Sequence, residues 1–229
     1  MSIETITCLK CDKASCAVLT LDENEVQELE KHTSHTNMRA GDLLLRQGAP
    51  FHSIIYLRSG YVKEFVINDN GPDQIVKIIK PKSYIGLQSL FSSKESAFSY
   101  QSITDIKICY IEQHIFSSRI ENNGNFAREI LASLSNESLG TQMRILGLNQ
   151  KQIFGKVADT ILYMAEQVYD SKEFDLKLSR TELAQMIAST RESVTKALIW
   201  FHQEEMIEMN RNRINILDNV RLKEIAKKG

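Results

Sequence analysis

Short apolar runs separated by turn residues fill the chain from about residue 38 to residue 112. Four of them, SIIYL, KEFVI, QIVKII and ITDIKICYI, are rich in β-branched and aromatic residues, as strands are. The turn residues between the runs include Gly41, Gly48, Gly60 and the stretch Asn70-Gly71-Pro72. This pattern predicts a compact antiparallel barrel or roll.

The hydrophobic pattern becomes helical from residue 113 to about residue 170. Apolar or small residues recur there at spacings of three or four: Phe126, Ile130, Leu134 and then Thr141, Ile145 and Leu148. The spacing predicts a long amphipathic helix over residues 125–149. Periodicity alone leaves two roles open, namely packing on the helix's own domain or forming a dimer interface.

The last 60 or so residues contain two helix-start signals in close succession. In LSRTELAQMIAS, Ser179 and Glu182 form a capping-box pattern before an apolar face of Leu183, Met186 and Ile187. Ser189 and Glu192 repeat the pattern at the start of TRESVTKALIWFHQEEMI, whose predicted inner face is Val194, Leu198 and Phe201.

Two short helices joined by a short turn are typical of a helix-turn-helix, whose second helix enters the DNA major groove. On that second helix Arg191, Glu192, Thr195 and Lys196 are expected to face outward. The following MIEM and RINIL runs predict a two-stranded wing. The alternative is a pair of surface helices with no nucleic-acid role.

Composition narrows the class of protein only slightly. The chain has 229 residues, 42% of them hydrophobic, which suits one large or two ordinary folded domains. The formal charge of -1 means that any DNA-binding surface must arise from local clustering of Lys and Arg. Since the sequence contains neither an apolar run near membrane-spanning length nor a signal-peptide pattern, we expect a cytoplasmic protein with no membrane partner.

The four cysteines are the candidate metal chemistry. Cys8, Cys11 and Cys16 lie in one short run, TCLKCDKASCAVLTL, and Cys109 stands alone. Thiolates select zinc, Cu(I) or iron-sulfur clusters, although four unrelated thiols are the plain alternative.

The histidines and the catalytic motifs add little. His32 and His35 with two of the cysteines make only a loose zinc set, and solvated histidines are the ordinary interpretation. His52, His114 and His202 have no partner visible in the sequence. No nucleophile motif, P-loop or dinucleotide fingerprint occurs, so we expect no enzymatic activity.

The helix-turn-helix stretch, LSRTELAQMIASTRESVTKALIWFHQEEMIEM, resembles the DNA-binding motif of the CRP/FNR transcription regulators. The upstream GDLLLRQG, IIYLRSGYVKEF and SYIGLQSLF are similar to the glycine-punctuated β-roll of the same family. The resemblance implies an α+β fold. Its parts would be a cysteine loop with an antiparallel, cupin-like β-roll at 1–124, a dimerisation helix at 125–149 and a winged helix-turn-helix at 150–229.

Within that family the cysteines resemble those of the oxygen-sensing FNR branch. The resemblance implies that Cys8, Cys11, Cys16 and Cys109 hold a 4Fe-4S cluster, although that branch has five residues between the second and third cysteines of its trio and this chain has four. Cyclic-nucleotide members carry a Gly-Glu pair and an Arg-Ser pair. Here Leu87 follows Gly86 and SSKESAF contains no arginine. The chain therefore offers neither a carboxylate to bind the ribose of cAMP nor an arginine fork to bind its phosphate.

The resemblance also assigns DNA contacts. Arg191 would read guanine through its O6 and N7 acceptors, Glu192 would accept from a cytosine amino group, and Thr195 and Lys196 complete the base-reading set. Phosphate contacts are expected from Ser179, Arg180, Thr181, Thr190 and Ser193.

The implied partners are a palindromic DNA duplex, a second copy of the chain and RNA polymerase. The leading hypothesis is therefore a homodimeric transcription regulator that senses oxygen or redox state through its cluster. The alternative is a regulator of the same fold that responds to haem, nitric oxide or another small effector. In that case the cysteines would be idle or would bind structural zinc.

Overall fold

The computed structural model describes residues 17–92 and 95–229. Cys8, Cys11 and Cys16 therefore lie outside the described residues. In the described part of the chain no helix is both long and apolar enough to cross a membrane.

The N-terminal region consists of antiparallel sheets flanked by helices, which confirms the predicted fold class. The helices are α1 (Glu23–Lys31), α2 (Leu87–Leu90) and α3 (Gln113–Asn122), preceded by a 3-10 turn at Val18–Thr20. The strands are β1 (Thr33–Met38), β2 (Leu43–Leu45), β3 (Ser53–Ser59), β4 (Val62–Val66), β5 (Gln74–Ile79), β6 (Ser83–Ile85), β7 (Ser99–Ser102) and β8 (Ile106–Glu112). One sheet has the order β1-β8-β3-β6, and β2 pairs with β7 in another.

Strands β3 and β8 lie in the middle of the first sheet and are buried on both faces. Successive side chains of a strand point to opposite faces, so each strand contributes to two separate core clusters. In β8, Ile106 and Ile108 enter one cluster, whereas Cys109 and Ile111 enter the other. The second cluster also contains Ala17 and residues of α1 and α3. Alternation along β8 therefore places the Cys109 side chain in the core beneath these helices.

The predicted long helix is present as α4 (Gly124–Gln150). Phe126 and Ile130 are buried in the same cluster as Cys109, and Leu134 packs against that cluster. The first three residues of the predicted apolar stripe therefore pack against the core of the same chain. A second set of large apolar side chains on α4 is exposed: Leu131, Leu139, Met143, Ile145 and Leu146.

The C-terminal region contains the predicted helix pair. Its helices are α5 (Ile153–Tyr163), which continues into a π-helical segment at Met164–Val168, then α6 (Arg180–Met186), α7 (Arg191–Gln203) and α8 (Asn219–Lys228). Its strands are β9 (Glu173–Asp175), β10 (Ile207–Asn210) and β11 (Arg213–Ile216), in the sheet order β10-β11-β9. The two predicted wing strands are present and pair with each other as β10 and β11. A third strand, which was not predicted, joins them, because β9 pairs with β11 through Phe174 opposite Ile214.

The chain divides into two compact units. The first comprises the described residues up to 62 together with 79–139. The second comprises residues 140–229 together with Lys63–Ile78, which carry most of strands β4 and β5. The helix pair α6–α7 and the β4–β5 hairpin therefore belong to the same unit.

Candidate nucleic-acid interface and thiol site

Helix α6 begins at the predicted capping box. The Ser179 hydroxyl accepts a hydrogen bond from the Glu182 backbone N–H (3.2 Å), and the Glu182 carboxylate accepts one from the Ser179 backbone N–H (2.9 Å). The apolar side chains that follow are buried, as predicted: Leu183, Met186 and Ile187. The box satisfies two backbone donors at the helix start and so fixes where α6 begins.

Helix α7 begins one residue later than the sequence predicted. Its N-cap is Thr190, whose hydroxyl accepts from the Ser193 backbone N–H (3.2 Å). The expected capping box of Ser189 and Glu192 is wrong, because the Ser189 backbone N–H is used to end α6 by donating to Ala184 O (3.0 Å). Ala188 takes a positive φ of 49° to make this turn.

The outer face of α7 presents the predicted base-reading residues together. Arg191, Glu192 and Lys196 are exposed, while Val194, Leu198 and Phe201 on the opposite face are buried. Thr195 is half-buried, and its hydroxyl donates to the carbonyl of Arg191 (2.7 Å). The first turns of α7 therefore expose a guanidinium, a carboxylate and an ammonium group on one face, while the opposite face is apolar and buried.

One further residue of this face was missed by the sequence analysis. Ile199 is 43% exposed and lies three positions after Lys196, on the same side of the helix. It was left out of the base-reading set because that set was drawn only from the polar side chains of the helix. An exposed apolar side chain here is suited to contact a thymine methyl group.

The five candidate phosphate contacts differ in their availability. The hydroxyls of Ser179, Thr190 and Ser193 already take part in helix caps, and Thr181 is exposed in the first turn of α6. Arg180 is half-buried, with Nη2 2.9 Å from Met209 Sδ on β10. Burial lowers the pKa of the Arg180 guanidinium. Arg180 is thus held by the wing strand.

Two side chains from the β4–β5 hairpin hold α6, and neither was predicted to do so. Lys63 Nζ lies 2.7 Å from Glu182 Oε1, with the two side chains only 16% and 24% exposed. Gln74 donates a short hydrogen bond to the carbonyl of Gln185. Burial raises the pKa of Glu182, but the hydrogen bonds from Lys63 and Ser179 outweigh burial and hold its pKa below the ordinary value.

Cys109 is the cysteine that the described residues contain, and its thiol is buried. It is 5% exposed, and its Sγ lies 3.2 Å from Nδ1 of His35, the residue directly opposite on β1. Burial and, second, the Arg58 charge lower the pKa of His35, so its ring favours the neutral form. Ala17, which follows Cys16 in the chain, is buried in the same core cluster as Cys109.

Two family models match the chain. A Crp-like helix-turn-helix domain matches residues 155–225, and a cyclic nucleotide-binding domain matches residues 35–123.

The chain is also similar over nearly its whole length to curated regulators. It is 25% identical over 225 residues to the transcriptional activator protein anr of Pseudomonas aeruginosa, with 96% of this chain and 92% of that protein covered. It is 23% identical over 227 residues to the fumarate and nitrate reduction regulatory protein of Escherichia coli, with 96% and 90% covered.

Among solved structures, the fold is similar to that of FixK2 from Bradyrhizobium japonicum. The TM-score is 0.78 at 18% identity, with 84% of this chain and 96% of that chain covered. At this identity the likeness shows the fold alone.

Proposed function

We propose that this chain acts as a homodimer that reads a palindromic DNA site and senses oxygen or redox state. The chain belongs to the CRP/FNR family of transcription regulators and not to a family of enzymes. The exposed face of α7 is the observation that carries the DNA-binding part of the proposal. Arg191, Glu192 and Lys196 project from the first turns of a helix whose other face is buried.

The chemistry of these side chains suits base recognition. An arginine fork matches the O6 and N7 acceptors of guanine, and a carboxylate accepts from the cytosine amino group. Lys196 is a flexible point charge and should specify its base less sharply than an arginine would. Thr181 is the exposed hydroxyl at the start of α6 that is best placed for a phosphate contact.

Dimerisation is supported by the exposed apolar side chains of α4. Leu139, Met143 and Leu146 are 61%, 68% and 52% exposed and follow one another at spacings of four and three. That spacing puts them on one face of the helix, which is the pattern of a helix that packs against a partner. A second copy of α4 would bury this face, and the resulting dimer would present two recognition helices to two half-sites. RNA polymerase is the further partner proposed for the DNA-bound dimer.

Binding titrations against a randomised half-site library test the DNA-reading assignment. Arg191→Ala should lose on the order of 1 to 3 kcal/mol and relax the guanine preference at one symmetric position. Lys196→Arg should sharpen the preference or leave it unchanged. Thr181→Ala is the control, since a phosphate contact affects all sequences about equally. A uniform loss for Arg191→Ala, with unchanged base preference, would show that Arg191 only positions the protein.

The proposed sensor is the four-thiolate set of Cys8, Cys11, Cys16 and Cys109. Four thiolates fit the ligand set of an iron-sulfur cluster. The described thiol lies in an apolar shell, which limits solvent access and tunes a bound metal centre. Ala17, the first described residue, is buried in the same core cluster as Cys109.

When bound, a 4Fe-4S cluster would supply a redox- and oxygen-sensitive link between the N-terminal cysteine run and strand β8. Core contacts around Cys109 would connect such a link to α4. Cys109 shares its core cluster with Phe126 and Ile130, which anchor the first turns of α4. A change in how the N-terminal run is held would therefore alter the packing of α4. A cluster can shift the population between two dimer arrangements only if its contacts differ between them.

Anaerobic iron and acid-labile sulfide analysis of the full-length chain tests the sensor. The purified protein should contain both elements, and Cys109→Ser should lose them, because a four-thiolate site rarely tolerates the loss of a soft ligand. His35→Ala is the matched control: it removes the neighbour of Cys109 without removing a thiolate. Full iron content in Cys109→Ser would contradict the ligand set.

A second candidate rests on the Cys109–His35 contact. A thiolate and an imidazole 3.2 Å apart are a common pair of zinc ligands. If the N-terminal cysteines complete that set, the regulator would hold structural zinc and respond to another effector. In this case His35→Ala would lose zinc, whereas the iron-sulfur proposal expects His35→Ala to keep its iron.

A further inference from the structure

A carboxylate lies between two imidazole rings at the surface of the first unit. Glu112 Oε1 is 3.3 Å from His32 Nδ1, and Glu112 Oε2 is 3.4 Å from His114 Nδ1. The two rings meet edge to face, with centroids 5.4 Å apart. One ligand atom from each residue can be chosen so that all three lie within 4.8 Å of one another.

These separations suit a shared metal ion better than direct hydrogen bonds. A direct N–H···O bond usually spans about 2.7 to 3.2 Å, so both contacts are long for one. Zinc binds His nitrogen and carboxylate oxygen at about 2.0 to 2.2 Å, so neighbouring ligands of a tetrahedral zinc lie roughly 3.3 to 3.6 Å apart. Each nitrogen–oxygen separation lies in that range, with His32 facing one oxygen of the Glu112 carboxylate and His114 facing the other.

The backbone fixes where the three side chains start. His32 ends α1, and its carbonyl accepts from the Glu112 backbone N–H (3.1 Å), just beyond the β1–β8 pair Thr33 and Ile111. Glu112 is also the N-cap of α3, and His114 is the second residue of that helix. Strand pairing and a helix start thus bring together residues that are about 80 positions apart in sequence.

We propose that His32, Glu112 and His114 form a binding site for zinc, separate from the cysteines. Imidazole nitrogens are borderline ligands that suit zinc, and zinc also accepts a carboxylate oxygen beside two imidazoles, whereas calcium and magnesium prefer oxygen ligands alone. Three protein ligands leave a coordination position for water or a partner group. Glu112 and His114 also line an open groove of about 720 Å³, together with Phe51, His52, Ser53, Gln113 and Ser117.

Bound zinc would brace α1 against the start of α3. The two helices are already linked at the other end of α1 by Arg119, whose guanidinium contacts Glu28 (2.6 Å) and Glu25 (3.4 Å). Zinc at His32 would hold the C-terminal end of α1 in the same way. The site stands independently of the iron-sulfur proposal, because none of its ligands is a thiol.

Zinc titration of the full-length chain carrying Cys8→Ser, Cys11→Ser and Cys16→Ser tests the site without the thiolate run. Metal-free protein is titrated calorimetrically with zinc alone near neutral pH, and thermal unfolding is followed with and without zinc. The chain should bind one zinc ion and unfold at a higher temperature in its presence, since a ligand that binds only the native state stabilises it. His114→Ala and Glu112→Gln should each weaken zinc binding at least about tenfold, the smallest loss typical even of an outer-shell change.

His52→Ala is the matched control. His52 lines the same groove but is not one of the three ligands, so zinc affinity should be unchanged. The side chains of His32, Glu112 and His114 are 36%, 53% and 66% exposed, so the variants should keep the fold. Unchanged zinc affinity in His114→Ala would overturn the proposal. Loss of all zinc binding in the cysteine-substituted parent would overturn it too, because the metal would then belong to the thiols.

Discussion

The ion pair between Lys63 and Glu182 links the β4–β5 hairpin to the first turn of the helix-turn-helix, and a double-mutant cycle can measure it. Lys63→Met removes the charge but keeps most of the aliphatic stem. Glu182→Gln removes the other charge, while the glutamine amide can still accept from the Ser179 backbone N–H, since glutamine serves in capping boxes. The cycle therefore isolates the ion pair from the cap.

The magnitude follows from the burial of the pair. Exposed ion pairs contribute about 0.2 to 1 kcal/mol, whereas breaking a fully buried pair costs about 3 to 5 kcal/mol. Lys63 and Glu182 are 16% and 24% exposed and 2.7 Å apart, so the pair lies between these two cases. We expect a coupling free energy of about 1 kcal/mol near neutral pH, on the scale of a hydrogen bond to a charged group discounted for partial exposure.

Urea unfolding followed by tryptophan fluorescence is a suitable assay. Trp200 is the only tryptophan in the sequence, and it packs edge to face on Phe154 in the same unit as the ion pair. The folded-state pKa of Glu182 lies below its ordinary 4.5, so its stabilising effect is present above that value. The coupling should disappear as the pH falls through the lowered pKa of Glu182. Additive single-variant effects, within about 0.3 to 0.5 kcal/mol, would refute the reasoning.

Four further outcomes are expected. Phe201→Ala should destabilise the second unit by about 3 to 5 kcal/mol in the same urea assay, because Phe201 is fully buried. Gly86→Ala should lower thermal stability more than Gly48→Ala, because both glycines have positive φ but only at Gly86 would a new Cβ meet a side chain, 2.0 Å from Cζ of Phe51. Met143→Glu should shift the dimer towards monomer in analytical ultracentrifugation, because Met143 is 68% exposed on the proposed dimer face; an unchanged sedimentation profile would place the interface elsewhere. Millimolar cAMP should leave the melting temperature unchanged, and a rise of several degrees would show that the domain binds it without an arginine fork.

Much of the fold could be predicted because its signals are local. The buried run in β3 and the alternation along β8 are readable from consecutive residues, and the capping box of Ser179 and Glu182 spans only four positions. Strand β1 was missed because TSHTNM is polar: it lies at the edge of its sheet and is mostly exposed. Helix α1 was missed because its nine residues bury only Val26 and Leu29.

The contacts that shape the candidate sites could not be predicted in the same way, because they join distant parts of the chain. Lys63 and Glu182 are 119 positions apart, and nothing in either local sequence indicates the other. Thr190 was passed over as a cap because Ser189 offered an equally good local signal. The choice between them depends on a positive φ at Ala188 that the turn requires.

Strand register links both candidate metal sites in the first unit. The pairing of β1 with β8 sets Cys109 opposite His35 and, three residues further on, brings Glu112 to the carbonyl of His32. Because side chains alternate with a period of two, a one-residue slip would turn Ile108 to the face that Cys109 now occupies and would move the Glu112 carboxylate away from both imidazoles. The buried Ile111, in the same cluster as Cys109, opposes such a slip. The hydrophobic alternation of β8 therefore positions a thiol on one face and a carboxylate at the strand end, although Glu112 lies outside the apolar run that made the strand predictable.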